Sequence, residues 1–224
     1  MTPWVLLDNA AVPGGGGELR LYQRGEEFSI KLMGRGELMN SRVHGSETAL
    51  AEQTCARLGH APQPRLLIGG LGMGFTLAAA LRCLGGPARV TVAELIPAVV
   101  TWNREPLGAL AGHPLADPRV DVHEGDVVRL LRRGQPDWDA ILLDVDNGPE
   151  GLTRRENDWL YGMDGLNAAW AALRPGGILA VWSAGPAPDF AQRLHKTGFE
   201  VEEVRVRAHG SRGARHVIWF ARRS

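Results

Sequence analysis

The chain is poor in lysine. Lys31 and Lys196 are the only two among 224 residues, and every other basic residue is arginine. Glycine, alanine and proline are plentiful, a pattern that reads as compositional bias and carries little function. Net charge is also missing, because 25 Lys and Arg balance 25 Asp and Glu. A nucleic-acid partner usually requires a basic face, so no nucleic-acid partner is expected. Arg20, Arg24, Arg35 and Arg42 form a mild local cluster that reads as solvated surface. Cysteine is limited to Cys55 and Cys83, without metal-ligand spacing. Both sit in apolar helical patterns, which predicts buried free thiols and no metal site. No apolar run approaches the length of a membrane span, and the N-terminus lacks a basic-then-apolar signal. The expectation is a cytoplasmic protein with no membrane partner.

What is present suits a globular α/β chain. The hydrophobic fraction is 44% and the charged fraction 22%, ordinary values for such proteins. The length allows one full α/β domain, a small extension and a sizeable core. Residues 1–43 read as short strands: Trp4–Asp8, Glu18–Arg24 and Phe28–Met33, separated by the Gly14–Gly17 run and the turn at Arg24-Gly25-Glu26. A helix is predicted from Ser46, as N-cap with Glu47 in its first turn, to Gly59. Pro62 and Pro64 end it. They divide a small N-terminal β extension with its linking helix, residues 1–61, from a main domain, residues 62–224.

From Arg65 onward strand and helix alternate. Strands are predicted at Arg65–Gly69, Arg89–Glu94, Val120–His123, Trp138–Asp144 and Ile178–Trp182. Helices are predicted at Phe75–Leu84, from Pro97, at Val127–Arg133, Asn157–Leu173 and Pro188–Thr197. Such alternation requires a parallel sheet covered by helices on both faces. Phe199–Arg207 and Arg215–Ala221 read as a closing hairpin, with the antiparallel strand at the sheet edge. The fold class is α/β: a doubly wound, mostly parallel seven-stranded sheet with a C-terminal antiparallel hairpin.

Four segments carry candidate chemistry. Gly69-Gly70-Leu71-Gly72-Met73-Gly74 follows an apolar strand and opens a helix. A turn free of side chains lets a ligand approach the backbone, and the helix N-terminus supplies free N–H groups. Glu94 ends the next strand roughly twenty residues on, where a dinucleotide-type site places the acid that accepts ribose hydroxyls. A nicotinamide cofactor fits less well, because Phe75 occupies the third glycine slot of G-x-G-x-x-G. Asp126 follows the third parallel strand, where it can accept from an adenine amino group, cap the next helix, or do both. Asp144-Val145-Asp146-Asn147-Gly148-Pro149 leaves the end of the fourth strand, where the ligand crevice of an open α/β sheet lies. Two carboxylates there suit a cationic ligand; the plainer reading is an Asx turn. The polar stretch Glu150–Trp159 behind it is long enough to act as a lid.

In this order the motifs resemble the spermidine synthase-like, or polyamine aminopropyltransferase-like, branch of the class I S-adenosylmethionine-dependent methyltransferase fold. The matching pieces are Leu66–Gly74, Ala93-Glu94-Leu95 with Pro97, Asp117-Pro118-Arg119-Val120, Gly125-Asp126, Asp139–Asp144 and Leu173–Leu179. The resemblance implies a transferase whose donor is S-adenosylmethionine or decarboxylated S-adenosylmethionine. It places that donor against Gly70, Leu71, Gly72 and Gly74, with Glu94 on its ribose and Asp126 on its adenine. Asp144 would hold the amino end or orient the acceptor, and Asp146 or Asn147 would take the acceptor's proton. His44 and Trp159 would lie on the substrate side. A small-molecule acceptor, an amine, and a homodimer are implied as well.

The chain also departs from the family. Gly72 stands where the family carries an acid for the donor's aminopropyl amine, Asn147 falls in the register of the second acid of Asp-x-x-Asp-Pro, and Met39 and Val43 replace a glutamine and a tyrosine. The expectation is therefore methyl transfer from intact S-adenosylmethionine to a small amine or other small nucleophile. Aminopropyl transfer and a non-catalytic nucleotide-binding role are the alternatives.

Overall fold

The computed structural model describes residues 2–59, 61–145, 148–149, 159–209 and 212–224. The chain opens with a four-stranded antiparallel sheet of β1 (Val5–Ala11), β2 (Glu18–Arg24), β3 (Glu27–Leu32) and β4 (Gly36–Asn40), in that order. Strand period sets its buried face: Leu19 and Leu21 of β2 and Phe28, Ile30 and Leu32 of β3 point inward. The fourth strand, Gly-Glu-Leu-Met-Asn, has no β-branched residue, and sequence patterning did not single it out. Arg20, Arg24 and Arg42 on this sheet form surface ion pairs with Glu18 and Glu27.

Helix α1 (Gly45–Arg57) follows. Ser46 is not its cap: the N-cap position falls on His44, and the Ser46 hydroxyl is buried and donates to Glu47 Oε2 at 2.7 Å. Next come β5 (Arg65–Gly69), α2 (Phe75–Cys83), β6 (Arg89–Glu94), α3 (Pro97–Arg104), β7 (Val120–Glu124), α4 (Val127–Leu131) and β8 (Trp138–Leu143). The chain closes with α5 (Met163–Ala172), β9 (Leu173–Ser183), α6 (Pro188–Thr197), β10 (Glu200–His209) and β11 (Arg212–Arg222). The expected start of α5 at Asn157 lies outside the described residues. Strand β9 runs through Pro175-Gly176-Gly177 instead of starting after it, with a register irregularity opposite β8 between Trp138 and Ala140.

The second sheet has seven strands in the order β10-β11-β9-β8-β5-β6-β7. One expectation needs correction. The antiparallel strand is not at the edge: β11 pairs antiparallel with both β9 and β10, so the hairpin turns inward and leaves β10 outermost. Val217, Trp219 and Ala221 of β11 are buried, and so are its neighbours Ile218 and Phe220. A strand apolar on both faces belongs inside a sheet.

Alternate residues of the central strands feed two cores. Leu66, Ile68, Val90, Val92, Ala140 and Leu142 pack with α2, α3 and the N-terminal sheet. Leu67, Ile141, Leu143, Leu179, Val181 and Trp219 pack with α4, α5 and α6. Each fully buried aliphatic side chain of this kind stabilises by about 1.5–3 kcal/mol. Polar ties fix the pieces that border the first core. Trp102 Nε1 donates to Asp8 Oδ2 at 2.7 Å, joining α3 to β1, and Arg57 grips Glu202 through two hydrogen bonds, joining α1 to β10. Of the two cysteines, Cys55 is half-buried and Cys83 is exposed, so the expectation of two buried thiols fails for Cys83, which ends α2 at the surface. No helix among the described residues is long and apolar enough to cross a membrane.

Candidate functional site

The carboxyl ends of β5, β6, β7 and β8 form a crest, and the N-terminal sheet leans over it. Gly70 N donates to Ala93 O, Asp144 N to Gly69 O and Gly125 N to Glu94 O, so backbone bonds stitch the crest together. Gly70 has φ of 91°, and a Cβ there would overlap the carbonyl oxygen of Asp144. Only glycine fits, because the β5 turn passes directly against the end of β8. The resulting cavity is bounded below by Gly70, Leu71, Gly72 and Thr76 and above by Leu19, Ile30 and Met39.

Glu94, Asp126 and Asp144 reach this one cavity, together with Gly70, Leu71 and Gly72. Glu94 is 7% exposed. Its Oε2 accepts from Leu71 N and its Oε1 from Ile96 N, both at 2.9 Å. Burial raises its pKa, opposed by those backbone N–H groups. A carboxylate has about four lone-pair positions, so both oxygens can still accept ligand hydroxyls. Asp126 caps α4, accepting from Val128 N at 2.9 Å, so the helix-cap reading of this residue holds. Asp144 Oδ2 accepts from Thr76 Oγ1 at 2.7 Å. Burial, reinforced by the charge of Glu47 and opposed by the Thr76 hydroxyl, pushes the Asp144 carboxyl up to about 7.

Gly74 ends the turn beside Asn103 and is not part of the cavity wall. Neither are His44 and Trp159. The His44 ring stacks on Phe75 with centroids 4.0 Å apart, and the Trp159 ring carries the Arg132 guanidinium 4.4 Å from its centroid. Asp146 and Asn147 lie outside the described residues, as does most of the stretch expected to form a lid.

Glu47, which the sequence places in the first turn of its helix, was not among the candidate site residues carried forward. It lines the cavity with Asp144, although 97 positions separate the two in the chain. Helical period alone does not reveal such a pairing. Missed also was Trp182, which borders the cavity with its Nε1 buried and without a hydrogen-bond partner among the described residues. A wall of acids and apolar surface suits a cation with an apolar body.

No protein-family model matches the chain, and no curated protein matches its sequence. Solved structures do match. Spermidine synthase in complex with the transition-state analogue AdoDATO superposes with a TM-score of 0.75 at 16% identity, covering 98% of this chain and 72% of the other. Spermidine synthase from Thermotoga maritima gives 0.75 at 16%, covering 98% and 73%. A probable spermidine synthase from Corynebacterium glutamicum gives 0.68 at 15%, covering 97% and 79%. The chain therefore has the fold of the spermidine synthases, a branch of the class I methyltransferase architecture.

Proposed function

We propose that the chain is a group transferase acting on a sulfonium nucleoside and a small amine, and that its donor is decarboxylated S-adenosylmethionine, which makes the reaction aminopropyl transfer. One observation carries this reading: Glu47, Glu94, Asp126 and Asp144 contribute to the cavity wall, and its described part contains no Arg, Lys or His. Intact S-adenosylmethionine brings a carboxylate that such a wall repels. The decarboxylated donor brings only cations, its ammonium and its sulfonium. Two unit charges 4 Å apart interact by about 4 kcal/mol at an effective dielectric of 20, enough to decide between the two donors. The complex of a similarly folded spermidine synthase with AdoDATO agrees with this choice.

In this reading the backbone of Gly70, Leu71 and Gly72 supports the donor, Glu94 accepts from the ribose hydroxyls and Asp126 from the adenine amino group. Asp144 faces the donor's amino end. The acceptor nitrogen attacks the carbon on sulfur, the C–S bond breaks, and the thioether leaves. Positioning of this kind contributes potentially about 7–11 kcal/mol. A second reading, methyl transfer from intact S-adenosylmethionine, is favoured by Gly72, which offers no acid to an aminopropyl amine. Incubation of the protein with putrescine and each donor in turn separates the two. Release of methylthioadenosine from the decarboxylated donor is expected. Release of S-adenosylhomocysteine alone favours methyl transfer, and no thioether from either donor removes the transferase reading.

A further inference from the structure

The carboxylates of the cavity differ in how they are held. Glu94 spends both oxygens on backbone N–H groups, Asp126 caps α4, and Asp144 takes the Thr76 hydroxyl. Glu47 is held from behind, by a two-step chain that begins on another element. Ser46 Oγ–H donates to Glu47 Oε2 at 2.7 Å. The hydroxyl has a single proton, so at the 2.9 Å contact with His216 Nδ1 it accepts, and the His216 tautomer must carry hydrogen on Nδ1. The imidazole packs edge-on against Trp182, centroids 4.7 Å apart, and Ser46 is 1% exposed. Burial lowers the His216 pKa, against the pull of Glu47, which keeps the ring neutral and the tautomer meaningful. A donor chain that converges on one carboxylate orients it.

We infer that Glu47 is the acceptor-side carboxylate, which binds the amine and takes the proton its nitrogen loses, and that Ser46 and His216 are positioning residues acting through it. The inference rests on the transferase reading above. The step balances: the nitrogen lone pair forms the new C–N bond, the C–S electron pair stays on sulfur as thioether, and the released N–H proton moves to a Glu47 oxygen. With asparagine at 147, in the register of the family's second acid, Glu47 supplies the carboxylate for the acceptor.

The test is calorimetric titration of putrescine into the full-length protein saturated with methylthioadenosine, followed by turnover with the decarboxylated donor. Glu47→Gln should weaken putrescine at least tenfold and leave methylthioadenosine affinity within twofold. His216→Phe, which removes the Nδ1 donor, should weaken putrescine several-fold, whereas His216→Asn, which restores a donor at that position, should return it toward wild type. A residue that only stabilised the fold would show no such rescue. If methylthioadenosine does not bind the wild type, the transferase reading and this inference fail together. If it binds and putrescine binds wild type and Glu47→Gln equally, this inference alone is overturned. Loss of turnover in Asp146→Asn with none in Glu47→Gln overturns it as well.

Discussion

Asp144 carries a large electrostatic cost in the site. Its folded-state pKa stands near 7, raised by burial and by Glu47, against about 3.9 for a free side chain. The sign follows from linkage. The folded state binds this proton more tightly than the unfolded chain, so stability falls as pH rises from about 4 towards 7. Asp144→Asn keeps the Thr76 hydrogen bond and removes the charge. It should be no more stable than wild type near pH 4 and clearly more stable near pH 8, measured by urea unfolding at both values. An equal difference at the two pH values would mean that Asp144 titrates normally. At this scale the sequence was informative where local context defines the role. Glu94 at a strand end and Asp126 before a helix could be placed from their neighbours alone. Glu47 could not, because its significance comes from Asp144 and His216, distant in sequence. Met39 and Gly72 show the same limit: a Cβ on Gly72 would stand 3.3 Å from Met39 Sδ, a contact between positions distant in sequence.

Among the elements, helix α2 has the most specific support at its end. Arg119 Nη1 donates to Leu84 O at 2.9 Å, and Nη2 donates to Leu81 O at 3.1 Å. Asp117 fixes the guanidinium through Nε and Nη2 and is itself held down to about 2 by that cation. The last carbonyls of a helix lack partners within the helix, and here a side chain from the loop before β7 supplies them. The Asp-Pro-Arg-Val tetrapeptide thus has a structural job, closing the helix that follows the glycine turn. Arg119→Ala should destabilise the protein by about 1–3 kcal/mol, read as a shift of the urea midpoint at unchanged slope. A change below about 0.5 kcal/mol would mean that water replaces the arginine without loss. Element boundaries with caps or prolines, as at Pro97 and at Pro188 to Gly198, were legible. The inward placement of β11 was not, because a hairpin specifies that its strands pair and not which of them meets β9. The length of β9 escaped notice because proline and glycine signalled a turn where the sheet accommodates an irregularity.

The molecule as a whole builds its cavity by folding the N-terminal sheet back over the crest of the parallel sheet, with Trp102 and Asp8 as one tie between them. The order of strands and helices from Arg65 onward was readable from hydrophobic period, because both faces of the parallel sheet demand apolar strands. Where the roof docks was not readable, because strand period marks a buried face and not what covers it. The roof closes the space with apolar side chains, while the acids of α1 and the crest set its charge; in the proposed reading that charge selects the donor. Isothermal titration of decarboxylated and intact S-adenosylmethionine into the same protein, at the same pH and ionic strength, addresses this claim directly. Tighter binding of the decarboxylated donor by about tenfold or more, shrinking as salt rises, is the predicted result. Equal affinity, or preference for the intact donor, would contradict the account.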